Sequence, residues 1–346
     1  MQRICNSLQA AAYDVILVGR KWKDSPELFT TTFRQIRLTC IFKKGKIAYL
    51  EYNFKLFFFL LFRKIDLICA IDLDTILPCY FISKIKRIPR VYDAHELFCE
   101  MKEVVSRPMI HKIWKRIEKF TVPKFRHGYT VNEMIAEEFR KMYGLSYETI
   151  KNVPRLKEME RPQEDGQGFI IYQGAVNEGR SFETLIPAMK DVNSILKIYG
   201  DGNFLEQSKN LVQNLGLENK IKFEGKLKPT DLKKITAEAK IGMTLFENNG
   251  LSNYYSLANR FFDYIHAEIP QVCVDYPCYH QINEKFEIGL LIKEPTQEEI
   301  SRAANNLLQD QVLYKRLKEN CRKAKQVLNW QTEEIKLIAF YKNIFR

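Results

Sequence analysis

The sequence predicts an α/β protein built from two doubly wound, Rossmann-like units facing a cleft. Three observations carry this expectation. At 346 residues the chain exceeds what one hydrophobic core usually organises. Short β-rich runs alternate with longer amphipathic stretches, the pattern of strands joined by crossover helices in a parallel sheet. Near the middle, the polar stretch from Asn152 to Gly168, with Pro154, Pro162, Gly166 and Gly168, interrupts both periodicities.

In the first half the strand runs are Asp14–Val18, Ile65–Ile71, Arg90–Tyr92 and Tyr129–Val131. In the second they are Phe169–Tyr172, Ile195–Tyr199, Ile221–Phe223, Ile241–Leu245 and Gln271–Val274. We therefore expect a first domain over 1–153, a hinge at Asn152–Arg155, and a second domain over 154–330. Residues 331–346 form a final helix with Ile335, Ile338, Ala339 and Phe345 on its apolar side, free to cap either domain or to pack back on the first.

Composition narrows the function. With 46% hydrophobic and 28% charged residues the chain is globular rather than disordered. Its net charge of +12 is uneven: residues 1–160 carry 29 Lys/Arg against 18 Asp/Glu, and residues 161–346 carry 25 against 24. The first half meets an anion. Nucleic acid, phospholipid headgroups and a lipid-linked diphosphate all satisfy that field, as does plain solvation of a basic face. No nucleic-acid-binding motif is present, so no nucleic acid is expected as a partner. No signal peptide is visible, and the longest apolar run, Leu56–Phe62, is far below the ~20 residues of a spanning helix. The eight cysteines show neither C-x-x-C pairs nor zinc-like spacing with the five histidines. They read as reduced, buried thiols of a cytoplasmic protein.

Several strand ends carry candidate chemistry. Ile171 to Arg180 is a strand ending in a turn at Gly174, followed by Arg180 at the start of a helix over Phe182–Met189; free N–H groups and a guanidinium there suit phosphate. Gly200-Asp201-Gly202 closes the next strand, where glycine permits close backbone approach. Ser256, Asn259 and Arg260 sit near a later helix start, and Asp263, one turn on, shares an exposed face with them. Hydroxyl, amide, guanidinium and carboxylate together match a nucleotide diphosphate, or else cap and flank a core helix. In the first half, Asp93, His95 and Glu96 end a strand, where His95 and Glu96 are the candidate catalytic pair. The histidine donates to a developing oxyanion or a sugar hydroxyl and a nearby carboxylate fixes its tautomer. Asp72 and Asp74 close the preceding strand and either hold acceptor hydroxyls or cap the helix from Thr75. Finally, residues 52–64 form an aromatic helix whose burial against the sheet accounts for most of it. With Lys112–Lys119 it also suits a basic-aromatic surface resting in lipid headgroups.

Taken in order, Tyr92–Glu96, Asn152–Pro154, Gly174–Arg180, Gly200–Gly202 and Ser256–Tyr264 resemble the motifs of the large retaining family of GT-B glycosyltransferases. The resemblance is especially to bacterial members, of the glycosyl transferases group 1 and family 4 type, that build lipopolysaccharide, capsule and exopolysaccharide. The resemblance spans nearly the whole chain. It implies transfer of a sugar from a nucleotide-diphosphate donor to a glycan or polyprenyl-linked acceptor, with retention, without a metal or other cofactor, at the inner face of the plasma membrane. It makes His95 the histidine near the transferred sugar, Arg180 and Arg260 the diphosphate cations, Asp263 the ribose-binding acid, and Asp72, Asp74 and Asp93 acceptor-side groups. Gly174, Gly200, Asp201, Ser256 and Asn259 complete the donor side.

The chain departs from the family at Tyr255, where a second acid is usual, at Ala175, where an arginine is, and at Ala258 and Glu268, where proline and glycine are. Met1–Leu8 resembles the middle of the family's first helix, so a central strand and its loop are expected in frame upstream of Met1. The rival readings are a sugar-nucleotide epimerase of the same fold and a truncated protein that binds nucleotide sugar without turnover. A dehydrogenase is disfavoured, since no strand carries G-x-G-x-x-G followed by an acid ~20 residues on.

Overall fold

The computed structural model of the protein describes residues 1–157 and 168–345. Pro162 and Gly166 of the interdomain stretch lie outside the described residues. The chain forms two compact units, Met1–Lys151 with Thr332–Arg346, and Asn152–Gln331.

The first unit runs α1 (Gln2–Ala10), β1 (Ile16–Lys21), β2 (Arg34–Thr39), α2 (Gly45–Leu61), β3 (Ile68–Ile71), α3 (Ile76–Lys86), β4 (Arg90–Ala94), α4 (Lys102–Val105), α5 (Pro108–Thr121), β5 (His127–Thr130), α6 (Glu133–Tyr143) and β6 (Glu148–Thr149). The second runs β7 (Ile170–Gln173), α7 (Phe182–Ala188), β8 (Leu196–Tyr199), α8 (Leu205–Asn214), β9 (Ile221–Gly225), α9 (Pro229–Glu238), β10 (Ile241–Thr244), α10 (Leu251–Tyr254), α11 (Asn259–His266), β11 (Gln271–Val274), α12 (Pro277–Phe286), β12 (Gly289–Ile292), α13 (Gln297–Gln309) and α14 (Gln311–Val327). The last helix, α15 (Trp330–Ile344), belongs almost wholly to the first unit.

In the second unit six parallel strands lie in the order β12-β11-β10-β7-β8-β9. Strands β7, β10 and β11 are buried along their whole length, as continuous apolar runs in a sheet covered on both faces require. Helix α11 crosses this sheet through Tyr264. Its hydroxyl donates to the Ile171 carbonyl at 3.2 Å and accepts from the Gln173 N–H at 3.2 Å, and its ring covers Gly242 so closely that a Cβ there would overlap it.

In the first unit β3-β4-β5-β6 form one parallel sheet and β1-β2 another. Strands β2, β6 and β12 have no counterpart among the runs read from the sequence; β2, Arg34-Gln-Ile-Arg-Leu-Thr39, carries only the polar/apolar alternation of a half-buried strand and no continuous apolar run. Helix α2 begins earlier than expected, at Gly45, and Phe54, Phe58 and Phe62 are exposed rather than packed on a sheet. Helix α15 buries a face rotated from the expected one. Leu337 and Tyr341 are buried while Ile335 is 71% exposed. The reason is local: Tyr341 meets Tyr129 edge-on and Tyr13 at a tilt, Ser7 donates to Glu334, and the Lys151 N–H donates to Glu333 at 2.9 Å. All eight cysteines are free thiols.

The Tyr264–Gly242 contact sets a test of how α11 is held. Gly242→Ala should cost about 1–3 kcal/mol in denaturant unfolding, because a methyl group has no room against the ring. Gly19→Ala, where an added Cβ meets nothing within 4 Å, should change stability by much less.

Candidate functional site

Unit 2 supplies a site at its topological reversal. The strand order turns back between β7 and β10, and sheets of this kind bind ligands outside the carboxyl ends of the strands at that point. Gly174 follows β7 and Leu245-Phe246 follows β10. Because Tyr264 anchors α11 over the sheet, the preceding turn of that helix delivers Arg260 between these two ends. Its Nη2 donates to the Leu245 carbonyl at 3.0 Å and its Nη1 to the Tyr172 hydroxyl at 3.3 Å. The guanidinium carbon lies 4.6 Å from the Tyr172 ring centroid and 4.5 Å from that of Phe246.

Arg260 is thus 7% exposed, not on the open helix face expected of it. The expectation treated the helix start as solvated, whereas aromatic rings close over it. Its Nε is buried without a hydrogen-bond partner among the described residues, one donor left unused.

Arg180 meets the same ring. It precedes α7, but its guanidinium carbon lies 4.4 Å from the Phe246 centroid and its Nη1 donates to Asn253 at 3.1 Å. Two cations at one aromatic ring repel each other, and an anion accepting from both removes that repulsion. Asn253 in turn donates to Asn249, which donates to Glu247 at 2.9 Å, so the α10 loop holds Arg180 in place. Phe246, Tyr172 and Asn253 were not singled out in the sequence. An aromatic residue just past a fully apolar strand is the one signal that marks Phe246.

The glycines have distinct tasks. Gly200 adopts φ +159 and lies against the Gly174 carbonyl, so closely that a side chain there would displace it. Backbone bonds from Gly174 N–H to Tyr199 O (2.9 Å) and Val176 N–H to Asp201 O (3.1 Å) join the two turns. Gly174 itself, at φ +130, leaves its exposed backbone beside the Arg260 Nη1. Asp201 accepts from Gly202 N–H at 2.8 Å and pairs with Lys226 at 3.0 Å. Asp263 accepts from the Gln173 amide at 3.0 Å, and Gln173 accepts from Thr236 at 2.7 Å. Asn259 is exposed and accepts from Asn152 at 2.9 Å, while Ser256 lies 3.2 Å from the Tyr279 hydroxyl rather than capping α11.

Unit 1 gathers its candidates at the carboxyl ends of β3 and β4. His95 Nε2 lies 3.0 Å from buried Asp93, which also accepts from the Tyr129 hydroxyl at 3.1 Å. The His95 backbone N–H donates to Asp72 at 2.9 Å, tying the two strand ends together. Asp72 holds φ +53, an uncommon conformation for a residue with a side chain. The capping alternative is not what forms, since Asp72 and Thr75, at the starts of the following turn and helix, make no side-chain capping bond.

Burial lowers the pKa of His95, but the hydrogen bond and charge of Asp93, with the charge of Asp72, outweigh it and raise the value to about 9. Asp74 is pushed up to about 6 by burial and by the Asp72 charge, against the pull of Arg20. Asp72 is also raised, chiefly by burial. The nearby carboxylate of the sequence reading is Asp93, and its hydrogen bond and charge favour the imidazolium over either neutral tautomer. Asp93 holds His95 as a cation at neutral pH, so both ring nitrogens donate. Glu96 is half-buried just beyond it. Arg20, whose guanidinium carbon lies 5.4, 5.9 and 5.3 Å from the rings of Trp22, Tyr49 and Tyr52, is a further cation near Asp74 that the sequence did not single out.

Two parallel, Rossmann-like α/β units make up the GT-B fold, here with two arginines at the switch point of one and a carboxylate-held histidine in the other. The sequence model of the family described as glycosyl transferases group 1 matches residues 155–324, and that of glycosyltransferase family 4 matches residues 1–156. Together they account for almost the whole chain, which belongs to the GT-B glycosyltransferases. Among solved structures the chain is similar to sucrose-phosphate synthase from Thermosynechococcus elongatus (TM-score 0.83, 17% identity, covering 99% of this chain and 92% of that one). It is also similar to HepE of Anabaena crystallised with UDP-glucose (0.74, 14%, 95% and 99%) and to WaaG, a glycosyltransferase of lipopolysaccharide biosynthesis (0.69, 15%, 97% and 93%). No curated protein matches the sequence.

The Asp93–His95 pair sets a pH test. With a folded pKa of about 9 against an ordinary value of 6.5, the stability that protonated His95 contributes is fully present below pH 6.5 and is lost as pH rises through 9. Proton NMR titration of the His95 ring should give a midpoint near 9. In Asp93→Asn burial should win instead and carry the midpoint below 6.5, with the loss of stability between pH 6.5 and 9 flattened.

Proposed function

We propose that this protein is a retaining, metal-independent glycosyltransferase that moves a sugar from a nucleotide-diphosphate donor to a glycan or polyprenyl-linked acceptor in cell-surface polysaccharide synthesis. The observation that carries this reading is the pair of guanidiniums, Arg260 and Arg180, on Phe246 at the switch point of unit 2. Breaking the donor's glycosidic bond leaves negative charge on the diphosphate, and fixed cations in a partly dry site stabilise that charge without reorganising. Arg260, with its unused Nε, and Arg180 meet the two phosphates, the backbone at Gly174 approaches them, and Asp263 accepts from the ribose hydroxyls. Cationic His95 donates to an oxygen of the transferred sugar, with Glu96 beside it, while Asp72, Asp74 and Asp93 order the acceptor side. In this reading the arginines, rather than a metal ion, meet that charge. HepE, bound to UDP and UDP-glucose, and WaaG, of lipopolysaccharide biosynthesis, support a UDP-sugar donor and a surface-glycan product.

Calorimetry with UDP and turnover followed as UDP release test these roles. Arg180→Ala should bind UDP at least tenfold more weakly, in line with about 1.5–3 kcal/mol for a hydrogen bond to a charged group. His95→Asn should leave UDP affinity unchanged and lower turnover about 100-fold. Unaltered UDP affinity in a well-folded Arg180→Ala would remove the switch-point site from the reading. Wild-type turnover in His95→Asn would remove the histidine.

We further infer that unit 1 rests on an anionic bilayer surface. Ile47, Leu50, Phe54, Phe58 and Phe62 form one exposed stripe along α2, and Phe81, exposed on α3, lies 6.5 Å from exposed Phe120 on α5. Exposed Lys44, Lys46, Arg63, Lys84, Lys112 and Arg116 flank these residues. Apolar rings with a basic rim suit shallow insertion between anionic headgroups. No helix among the described residues is long and apolar enough to cross a membrane. The protein should co-sediment with vesicles containing phosphatidylglycerol and less with pure phosphatidylcholine. Phe54→Ser with Phe62→Ser should abolish that binding, and equal binding to both lipids at any salt would contradict the role of charge.

A further inference from the structure

The sheet of unit 1 is open between β1 and β3. Among the described residues β1 pairs only with β2, and β3 only with β4. The flanking hydrogen bonds fix which backbone groups are left over. Arg34 N–H donates to Val15 O at 3.0 Å and Cys40 N–H to Lys21 O at 2.8 Å, so in a parallel ladder the odd-numbered residues of β1 bond to β2. The N–H and C=O groups of Ile16, Val18 and Arg20 then turn to the opposite edge, where the Tyr52 hydroxyl donates to Val18 O at 3.3 Å. On the other strand, Ile68 N–H donates to Pro89 O at 3.2 Å and Asp72 N–H to Asp93 O at 2.9 Å. Cys69 and Ile71 therefore turn their backbone groups away from β4.

Ile16, Val18, Cys69 and Ile71 all line one cavity of about 340 Å³. Its other walls are mostly apolar, from Leu8 on α1, Leu56 and Leu60 on α2, and Tyr341 on α15. One water needs roughly 10–15 Å³ of such space, so this is no packing defect of one side chain. Two strand edges and apolar walls meeting in one cavity call for an occupant with backbone hydrogen bonds on both sides and apolar side chains. A hydrocarbon chain would match the walls and leave the N–H and C=O groups of both edges unmet, a cost the backbone rarely bears.

We propose that this cavity is a strand slot, taking one extended peptide segment of about five apolar, β-branched residues that hydrogen-bonds to β1 on one side and β3 on the other. The length follows from Ile16–Arg20 at ~3.3 Å per residue. The filled site would be an instance of β-strand addition, with the main chain giving affinity and the walls selecting side chains.

The test adds the peptide acetyl-Lys-Val-Ile-Val-Ile-Val-Lys-amide to the full chain and follows thermal unfolding and amide hydrogen exchange. At saturation the unfolding temperature should rise by several degrees, and amide protection should increase at Ile16, Val18, Cys69 and Ile71. The same peptide with proline at its centre should do neither, because it cannot complete the ladder. A Leu8→Glu variant, carrying a charge into the slot wall, should lose the response to the first peptide. Absence of any shift or protection would overturn the proposal. So would equal protection by the proline peptide or by palmitate, the latter marking the cavity as a hydrocarbon site instead.

Discussion

Burying a guanidinium is unfavourable unless its donors and its charge are met, and the donor-side architecture turns on how that is done for Arg260. A backbone carbonyl, a tyrosine hydroxyl and two ring faces receive it, all drawn from the ends of β7 and β10 or the turns beyond them. The arrangement depends on Tyr264, one turn further along α11, lying over the bare backbone of Gly242 and bonding to the Ile171 carbonyl and the Gln173 N–H on one edge of β7. With α11 fixed at that height, Arg260 cannot retreat into solvent. Phe246 then becomes a platform that a second arginine shares, and the tight Gly174–Gly200 approach keeps side chains out of the space beside them.

The first unit solves the opposite problem, an excess of negative charge. Asp72, Asp74 and Asp93 gather where two parallel strands end, so burial and the neighbouring acids raise the pKa of Asp72 and of Asp74. The counter-charge is His95, kept protonated by Asp93, with Arg20 near Asp74. One carboxylate therefore has a structural task, Asp72 bridging to the His95 backbone, and another an electrostatic one, Asp93 setting the charge of the ring. A histidine in this state is a hydrogen-bond donor and not a base, which fits a group facing sugar or phosphate oxygens.

The two sheets also differ in completeness. Val15-Ile-Leu-Val18 has the continuous apolar character of a strand buried on both faces, yet β1 is only half-buried while β7, β10 and β11 are buried throughout. Sequence and burial disagree at this strand, and the cavity between β1 and β3 accounts for the disagreement. The exposed rings of α2 are a separate feature of the same unit, and residues 1–160, which make up most of it, carry most of the chain's net positive charge.

Local pattern alone determined the α/β class, nine of the strand positions and the residues that end them, because strand periodicity, turn glycines and the apolar content of a run are properties of neighbouring residues. It also singled out His95, Asp93, Arg180, Arg260 and Asp263, since strand ends and helix starts are where polar groups in such folds are exposed to ligand. It could not determine which of these groups meet. That Arg180 and Arg260 share Phe246, residues 66 and 14 positions away, that Asp93 rather than another acid holds His95, and that Arg260 is buried all depend on the order of strands in a sheet. The burial of α15 through Leu337 and Tyr341, and the open edge between β1 and β3, were likewise decided only by tertiary structure. Strand order is fixed by contacts between distant segments, and no short-range period in the chain encodes it.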